Sequence, residues 1–122
     1  MNILIVEDNS LLRQTMADIL SCLFPDISLL EAATGEEAME VVRRERPHLV
    51  FMDIQLPGES GLRVTGRIKT EFPHIIIIIH TNFDLREYRK PAADAGADHL
   101  LSKQETTLED IAGLVGRYTA AR

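Results

Sequence analysis

Cysteine is almost absent. Cys22 is the one example in 122 residues, which excludes a disulfide framework within the chain. It falls on the apolar stripe of the first predicted helix and is expected in the core rather than in redox chemistry. Basic charge is in the minority too. The formal net charge is −6 with the signs interspersed, whereas duplex nucleic acid is bound by clustered Lys and Arg, so no direct nucleic-acid contact is expected of this domain. No apolar run approaches the roughly 20 residues of a membrane helix; the longest, residues 75–79, is an isoleucine run. The chain opens directly into a predicted strand, without a basic n-region or cleavable signal, and a cytoplasmic location with no membrane contact is expected. Internal repeats and low-complexity segments are also absent. At this length one domain is expected over residues 1–122, large enough to bury roughly two thirds of its unfolded surface.

What is present is a regular alternation of β-rich runs and amphipathic stretches, which predicts an α/β domain with a parallel sheet covered by helices on both faces. Strand one spans residues 3–6. Helix one spans about 11–23, with Leu12, Met16, Ile19, Leu20 and Leu23 at helical spacing, and Pro25 ends it. Strand two covers 27–31. Helix two opens at Thr34 with a capping box to Glu37 and repeats Ala38, Val41 and Val42 before Pro47. Strand three covers 49–52 and helix three roughly 62–72, before Pro73. Strand four is the isoleucine run 75–79, whose β-branched residues suit a strand buried on both faces. Helix four lies within 84–95, strand five covers about 97–101, and helix five about 108–118 behind a capping box from Thr106 to Glu109.

Three acids stand at the ends of two of these strands: Glu7 and Asp8 after Ile3-Leu4-Ile5-Val6, and Asp53 after Leu49-Val50-Phe51-Met52. A strand apolar along its whole length is buried, so a carboxylate at its C-terminal end marks where the chain enters a cleft. Side by side, like charges about 4 Å apart cost on the order of 4 kcal/mol per pair at an effective dielectric near 20. The cluster is tolerable only with a cation or a proton among them, and a divalent metal is the natural reading. With no Cys or His nearby, these hard oxygen ligands suit Mg²⁺ or Mn²⁺ better than zinc. Asp53 is followed by Ile54-Gln55-Leu56-Pro57-Gly58, where the Pro-Gly pair turns the chain and leaves the carboxylate at the cleft mouth.

The same strand edge carries Thr81 after strand four and Lys103 after strand five. A metal, a reactive carboxylate, a hydroxyl and an ammonium together can hold a tetrahedral phosphoryl group. Other candidates are weaker. His80 reads as a packed histidine rather than a ligand, His48, His74 and His99 have no ligand spacing, and Arg43-Arg44-Glu45-Arg46 reads as a solvated helix end that complements the dipole.

Over nearly its whole length the sequence resembles the CheY-like receiver domains of two-component response regulators. The resemblance rests on Ile3-Leu4-Ile5-Val6-Glu7-Asp8, on Met52-Asp53-Ile54-Gln55-Leu56-Pro57-Gly58 with Gly61 beyond, on Thr81, on Ala95-Gly96-Ala97-Asp98 and on Lys103. It implies a single doubly wound (βα)₅, flavodoxin-like fold with strand order 2-1-3-4-5. It implies that Asp53 accepts a phosphoryl group from a phosphohistidine of a histidine kinase or phosphotransfer protein. Glu7, Asp8, Asp53 and the Gln55 backbone carbonyl would hold Mg²⁺, and Thr81 and Lys103 would bind the phosphoryl oxygens. Such a domain is a phosphorylation-dependent switch and not an enzyme in the ordinary sense. It acts on an output domain or partner through its α4-β5-α5 face, and a homodimer formed on phosphorylation is a further expectation. Leu85-Arg86-Glu87-Tyr88 and Leu100-Leu101-Ser102-Lys103 resemble the branch that often carries a DNA-binding output domain and regulates transcription.

Several positions depart from the family's pattern. Leu100 stands where an aromatic usually reports phosphorylation, so that readout is expected to be absent. Asn82 replaces a small residue after Thr81, and Gln104 replaces a proline after Lys103. Pro91 falls inside predicted helix four, where it deletes one backbone bond and clashes with the Glu87 carbonyl at a cost of about 3 kcal/mol or more; the helix is expected to kink or to be short and irregular. The alternative function is a Mg²⁺-dependent phosphatase with an aspartyl nucleophile. Such enzymes need a general acid two residues after the nucleophile, and Gln55 cannot serve. A degenerate receiver used only for binding is disfavoured by the intact acid, hydroxyl and lysine set.

Overall fold

The computed structural model describes residues 1–120. Five strands, β1 (Asn2–Val6), β2 (Ser28–Ala32), β3 (Leu49–Met52), β4 (Ile76–Thr81) and β5 (His99–Ser102), alternate with helices α1 (Ser10–Leu23), α2 (Gly35–Glu45), α3 (Gly61–Glu71), α4 (Leu85–Ala95) and α5 (Leu108–Ala120). All strand pairs are parallel, in the order β2-β1-β3-β4-β5. This is the doubly wound, flavodoxin-like arrangement expected.

Strand alternation divides the core into two. Leu4, Val6, Val50, Met52, Ile77 and Ile79 face α2, α3 and α4, where Met39, Val42, Val64, Ile68 and Ala92 close over them. Ile3, Ile5, Leu49, Phe51 and Ile78 face α1 and α5, against Met16, Leu20, Leu114 and Val115. Each such aliphatic side chain, once buried, contributes about 1.5–3 kcal/mol. The edge strand β5 is only half-buried along its length.

The helix starts follow from their caps. Asn9 accepts from the Leu12 N–H ahead of α1, Thr34 from Glu37 ahead of α2, Ser60 from Leu62 ahead of α3 and Asp84 from Arg86 ahead of α4.

Several expectations are corrected. Cys22 is exposed, not a core residue: α1 buries Met16, Ala17 and Leu20, and at 3.6 residues per turn Cys22 lies about 200° from Leu20. Leu23, on the same expected stripe, is also exposed. The capping box of α5 is Thr107 with Asp110, each side chain accepting the other's backbone N–H at 3.1 and 3.0 Å, not Thr106 with Glu109. Of the two outcomes expected at Pro91, the short helix is excluded, since α4 continues through it over 11 residues. Pro91 is exposed, so water can solvate the carbonyl that lost its partner. β4 extends past the isoleucines to include His80 and Thr81, and β5 begins two residues later than expected because Gly96, at φ 96°, closes α4 with the Ala97 N–H donating back to the Ala92 carbonyl.

Candidate functional site

The register of the sheet sets the site. β1 and β3 run side by side with Val6 opposite Met52, so Glu7 and Asp53 leave neighbouring strands at the same edge. The Asp53 N–H donates to the Val6 carbonyl at 3.1 Å and fixes that juncture. Ligand oxygens of Glu7, Asp8 and Asp53 all lie within 4.8 Å of one another. Glu7 and Asp53 are buried while Asp8 is exposed, so the cluster opens to solvent on the Asp8 side.

Lys103, after β5, reaches in from the far side. Its Nζ donates to Glu7 Oε1 at 2.5 Å and to Asp53 Oδ2 at 2.9 Å, with 10% of its side chain exposed. One cation therefore serves two of the three carboxylates. Burial pushes the Glu7 carboxyl above its usual range; the hydrogen bonds from Lys103 and the Asn9 N–H oppose this, and the Asp53 charge adds to it. Burial would lower Lys103, but its hydrogen bonds and charge pairing with Glu7 and Asp53 outweigh it and raise it.

Thr81 is buried at the end of β4, joined to Lys103 through the backbone, where the Lys103 N–H donates to the Thr81 carbonyl at 2.8 Å. Its hydroxyl accepts from the Phe83 N–H at 3.3 Å, which leaves the hydroxyl proton available to an incoming acceptor. Gln55 is exposed, its backbone bridged to Ser60 across the turn that holds Gly58 at φ 81°. His80 stands one register step beyond the Ile79–Met52 pair, beside Asp53. Burial, and then the charge of Lys103, push its pKa down to about 4, with Asp53 partly opposing, so it is neutral at pH 7.

The donor set is all oxygen, and one member is solvent-facing. That fits a hard divalent cation which keeps part of its water shell.

A family model for the response regulator receiver domain matches residues 3–114. The chain belongs to this family. It is 37% identical over 103 residues to the transcriptional activator protein ExaE of Pseudomonas putida, a match that covers 84% of this chain and 48% of that one. It is 34% identical over 104 residues to the polar-differentiation response regulator DivK of Brucella anthropi, covering 84% and 83%. A CheY-like receiver domain from Methanospirillum hungatei superimposes with a TM-score of 0.87 at 25% identity, over 96% of this chain and 91% of that one. The receiver thus spans about half the length of ExaE and most of DivK.

Sequence reasoning listed the receiver's acids, hydroxyl and lysine, and the structure brings Glu7, Asp8, Asp53 and Lys103 into one cluster with Thr81 on the same edge. It missed two contributors. Arg13 donates through Nη1 to the Glu7 carbonyl at 2.6 Å; its position one turn into α1 was the available signal. Phe83, which holds the Thr81 hydroxyl, stacks on Tyr88 with ring centroids 5.3 Å apart and packs on the larger core.

Proposed function

We propose that this receiver is a Mg²⁺-dependent phosphoacceptor switch with Asp53 as the acceptor, taking its phosphoryl group from a phosphohistidine of a histidine kinase or phosphotransfer protein. The observation that carries this reading is Lys103 bridging Glu7 and Asp53 inside an acid cluster at the strand ends. An Asp53 oxygen attacks phosphorus, the P–N bond of the phosphohistidine breaks with its electron pair returning to the imidazole, and an acyl phosphate forms. Glu7, Asp8, Asp53 and the Gln55 carbonyl hold the metal, which when bound supplies positive charge against the phosphoryl oxygens. Lys103 keeps its charge and turns from the Asp53 carboxylate to a phosphoryl oxygen; Thr81 donates its free hydroxyl proton to another. Gln55 has no acid proton to give a leaving group, which supports a switch over a phosphatase.

On this reading residues 1–122 form one receiver domain that signals through its α4-β5-α5 face to an output domain or effector, with a homodimer as one phosphorylated state. The likeness to ExaE supports the receiver part of a transcriptional regulator, with DNA contact left to a separate domain. Among the described residues no helix is long and apolar enough to cross a membrane; membership of the receiver family supports a cytoplasmic location. The test is incubation with Mg²⁺ and acetyl phosphate, followed by mapping of the adduct. A single acid-stable, base-labile modification at Asp53 is expected; a modification that persists unchanged in Asp53→Ala would sink the assignment.

A further inference from the structure

Arg13 lies on α1, outside the cluster of acids, yet its side chain crosses back over the end of β1. Nη1 donates to the Glu7 carbonyl at 2.6 Å, and Nε donates to Oε1 of Glu31 on β2 at 3.0 Å. The side chain is only 20% exposed. A guanidinium is a planar fork, so Glu31 on one tine fixes the direction of the other.

The segment it grips is the one that presents the metal ligands. Up to Glu7 the chain is held by the sheet: Ile5 and Val6 pair with Glu31 and Ala32, and the Glu7 N–H donates to the Ala32 carbonyl at 3.0 Å. Beyond it, the Asn9 N–H donates to Glu7 Oε2 at 3.1 Å, and Asn9 caps α1. The Glu7 carbonyl lies between these anchors, at the peptide that joins Glu7 to Asp8. Arg13 holds that peptide plane, and with it the direction in which Asp8, exposed and otherwise little constrained, leaves the backbone.

We propose that Arg13 is a positioning residue for the Glu7–Asp8 metal-binding pair, acting through the Glu7 carbonyl and oriented by Glu31. This rests on the reading of Glu7 and Asp8 as Mg²⁺ ligands. Charge and geometry make opposite demands here. A cation beside the acids repels Mg²⁺, so if charge alone mattered, removing Arg13 would tighten Mg²⁺ binding; if it positions the acids, removing it weakens binding. Groups that orient metal ligands typically contribute about 10- to 100-fold in affinity.

The experiment is a titration of the whole chain with MgCl₂ alone, following the backbone amide shifts of Asp8 and Asn9, in wild type, Arg13→Gln, Arg13→Lys and Glu31→Ala. Amide shifts in β4 and α3 verify the fold. Arg13→Lys keeps the charge but cannot reach both acceptors in one plane. Both Arg13 variants are expected to bind Mg²⁺ roughly tenfold more weakly, and Glu31→Ala more weakly by a smaller factor. Tighter binding in Arg13→Gln, or unchanged affinity in Arg13→Lys, overturns the proposal. If Arg13→Gln does not fold, Arg13→Lys and Glu31→Ala decide by the same criterion. Wild-type protein whose Asp8 and Asn9 amides do not respond to Mg²⁺ overturns the metal reading itself; a normal wild-type response with unaltered variants overturns only the role of Arg13.

Discussion

A Cβ on Gly61 would lie 1.8 Å from the backbone oxygen of Asp53. The Gly61 N–H also donates to the Ile54 carbonyl at 2.7 Å, so the first residue of α3 is clamped against the segment that presents Asp53. Gly61→Ala must displace either α3 or the Asp53–Ile54 peptide. Overpacking of this kind costs about 1–3 kcal/mol, and a backbone atom, unlike a side chain, cannot rotate away. We expect a loss at the upper end of that range in urea unfolding, together with slower labelling of Asp53 by acetyl phosphate. Wild-type stability in Gly61→Ala would show that the turn can open without consequence.

Lys103 makes a second prediction, because its Nζ contacts both Glu7 and Asp53. Lys103→Met leaves those two carboxylates facing each other. Breaking a fully buried pair costs about 3–5 kcal/mol; here the cleft opens at Asp8, so a loss on the order of 2 kcal/mol is expected. Mg²⁺ should then bind more tightly, and should raise the melting temperature of Lys103→Met more than that of wild type. Equal increments in the two proteins would count against a shared site. Phosphorylation should fall in the variant despite the tighter metal.

Asp8 behaves differently because it is exposed. Asp8→Ala removes a proposed ligand without opening a cavity, so its stability should stay within about 0.5 kcal/mol of wild type, while Mg²⁺-dependent labelling of Asp53 should be lost. Wild-type labelling rates in Asp8→Ala would remove Asp8 from the metal site.

His80 gives the pH dependence. Its pKa in the fold is about 4 against an unfolded value near 6.5. Between those values the unfolded chain binds more protons, so stability from this group is complete above about pH 6.5 and is lost as pH falls toward 4. The full span amounts to on the order of 3 kcal/mol. Glu7, raised by burial, works in the opposite sense, its contribution falling as pH rises through its folded pKa. The His80 part is therefore read as a difference: from pH 7 to 5, wild type should lose more stability in urea than His80→Asn. Parallel losses would mean that His80 protonates freely in the folded state.

How far the sequence reveals this molecule depends on the range of the interactions. β1, β3 and β4 were legible because runs such as Leu49-Val50-Phe51-Met52 can only be buried, and the acids after them marked the cleft. Cys22 was misplaced because a loosely apolar helix admits more than one stripe, and only packing selects Met16, Ala17 and Leu20. The α5 cap was misplaced by one residue because two Thr-x-x-acid boxes overlap there, and the one beginning at Thr107 won. Lys103 could be placed on the right edge, but its bridge joins it to a residue 96 positions away. The place of Arg13 one turn into α1 was legible, but its reach to the Glu7 carbonyl depends on how α1 packs over the end of β1.

The last prediction concerns how phosphorylation leaves the site. Leu100 is half-buried against the larger core and has no polar tip to exchange between inward and outward positions. Phe83 offers another route. Its N–H holds the Thr81 hydroxyl, its ring stacks on Tyr88 of α4, and α4 buries only Ala92 and lacks the bond that Pro91 cannot make. An element with so few buried contacts opens at low free energy, and a charge change at Asp53 that engages the Thr81 hydroxyl is well placed to shift it. Amide exchange over residues 84–95 should therefore change when beryllofluoride occupies Asp53. Pro91→Ala, which replaces a residue about 3 kcal/mol less favourable in a helix interior, should slow exchange in the unmodified protein and shrink the response. Equal protection of this segment in wild type and Pro91→Ala, with and without beryllofluoride, while changes appear only around Leu100, would show that the signal leaves through β5 instead.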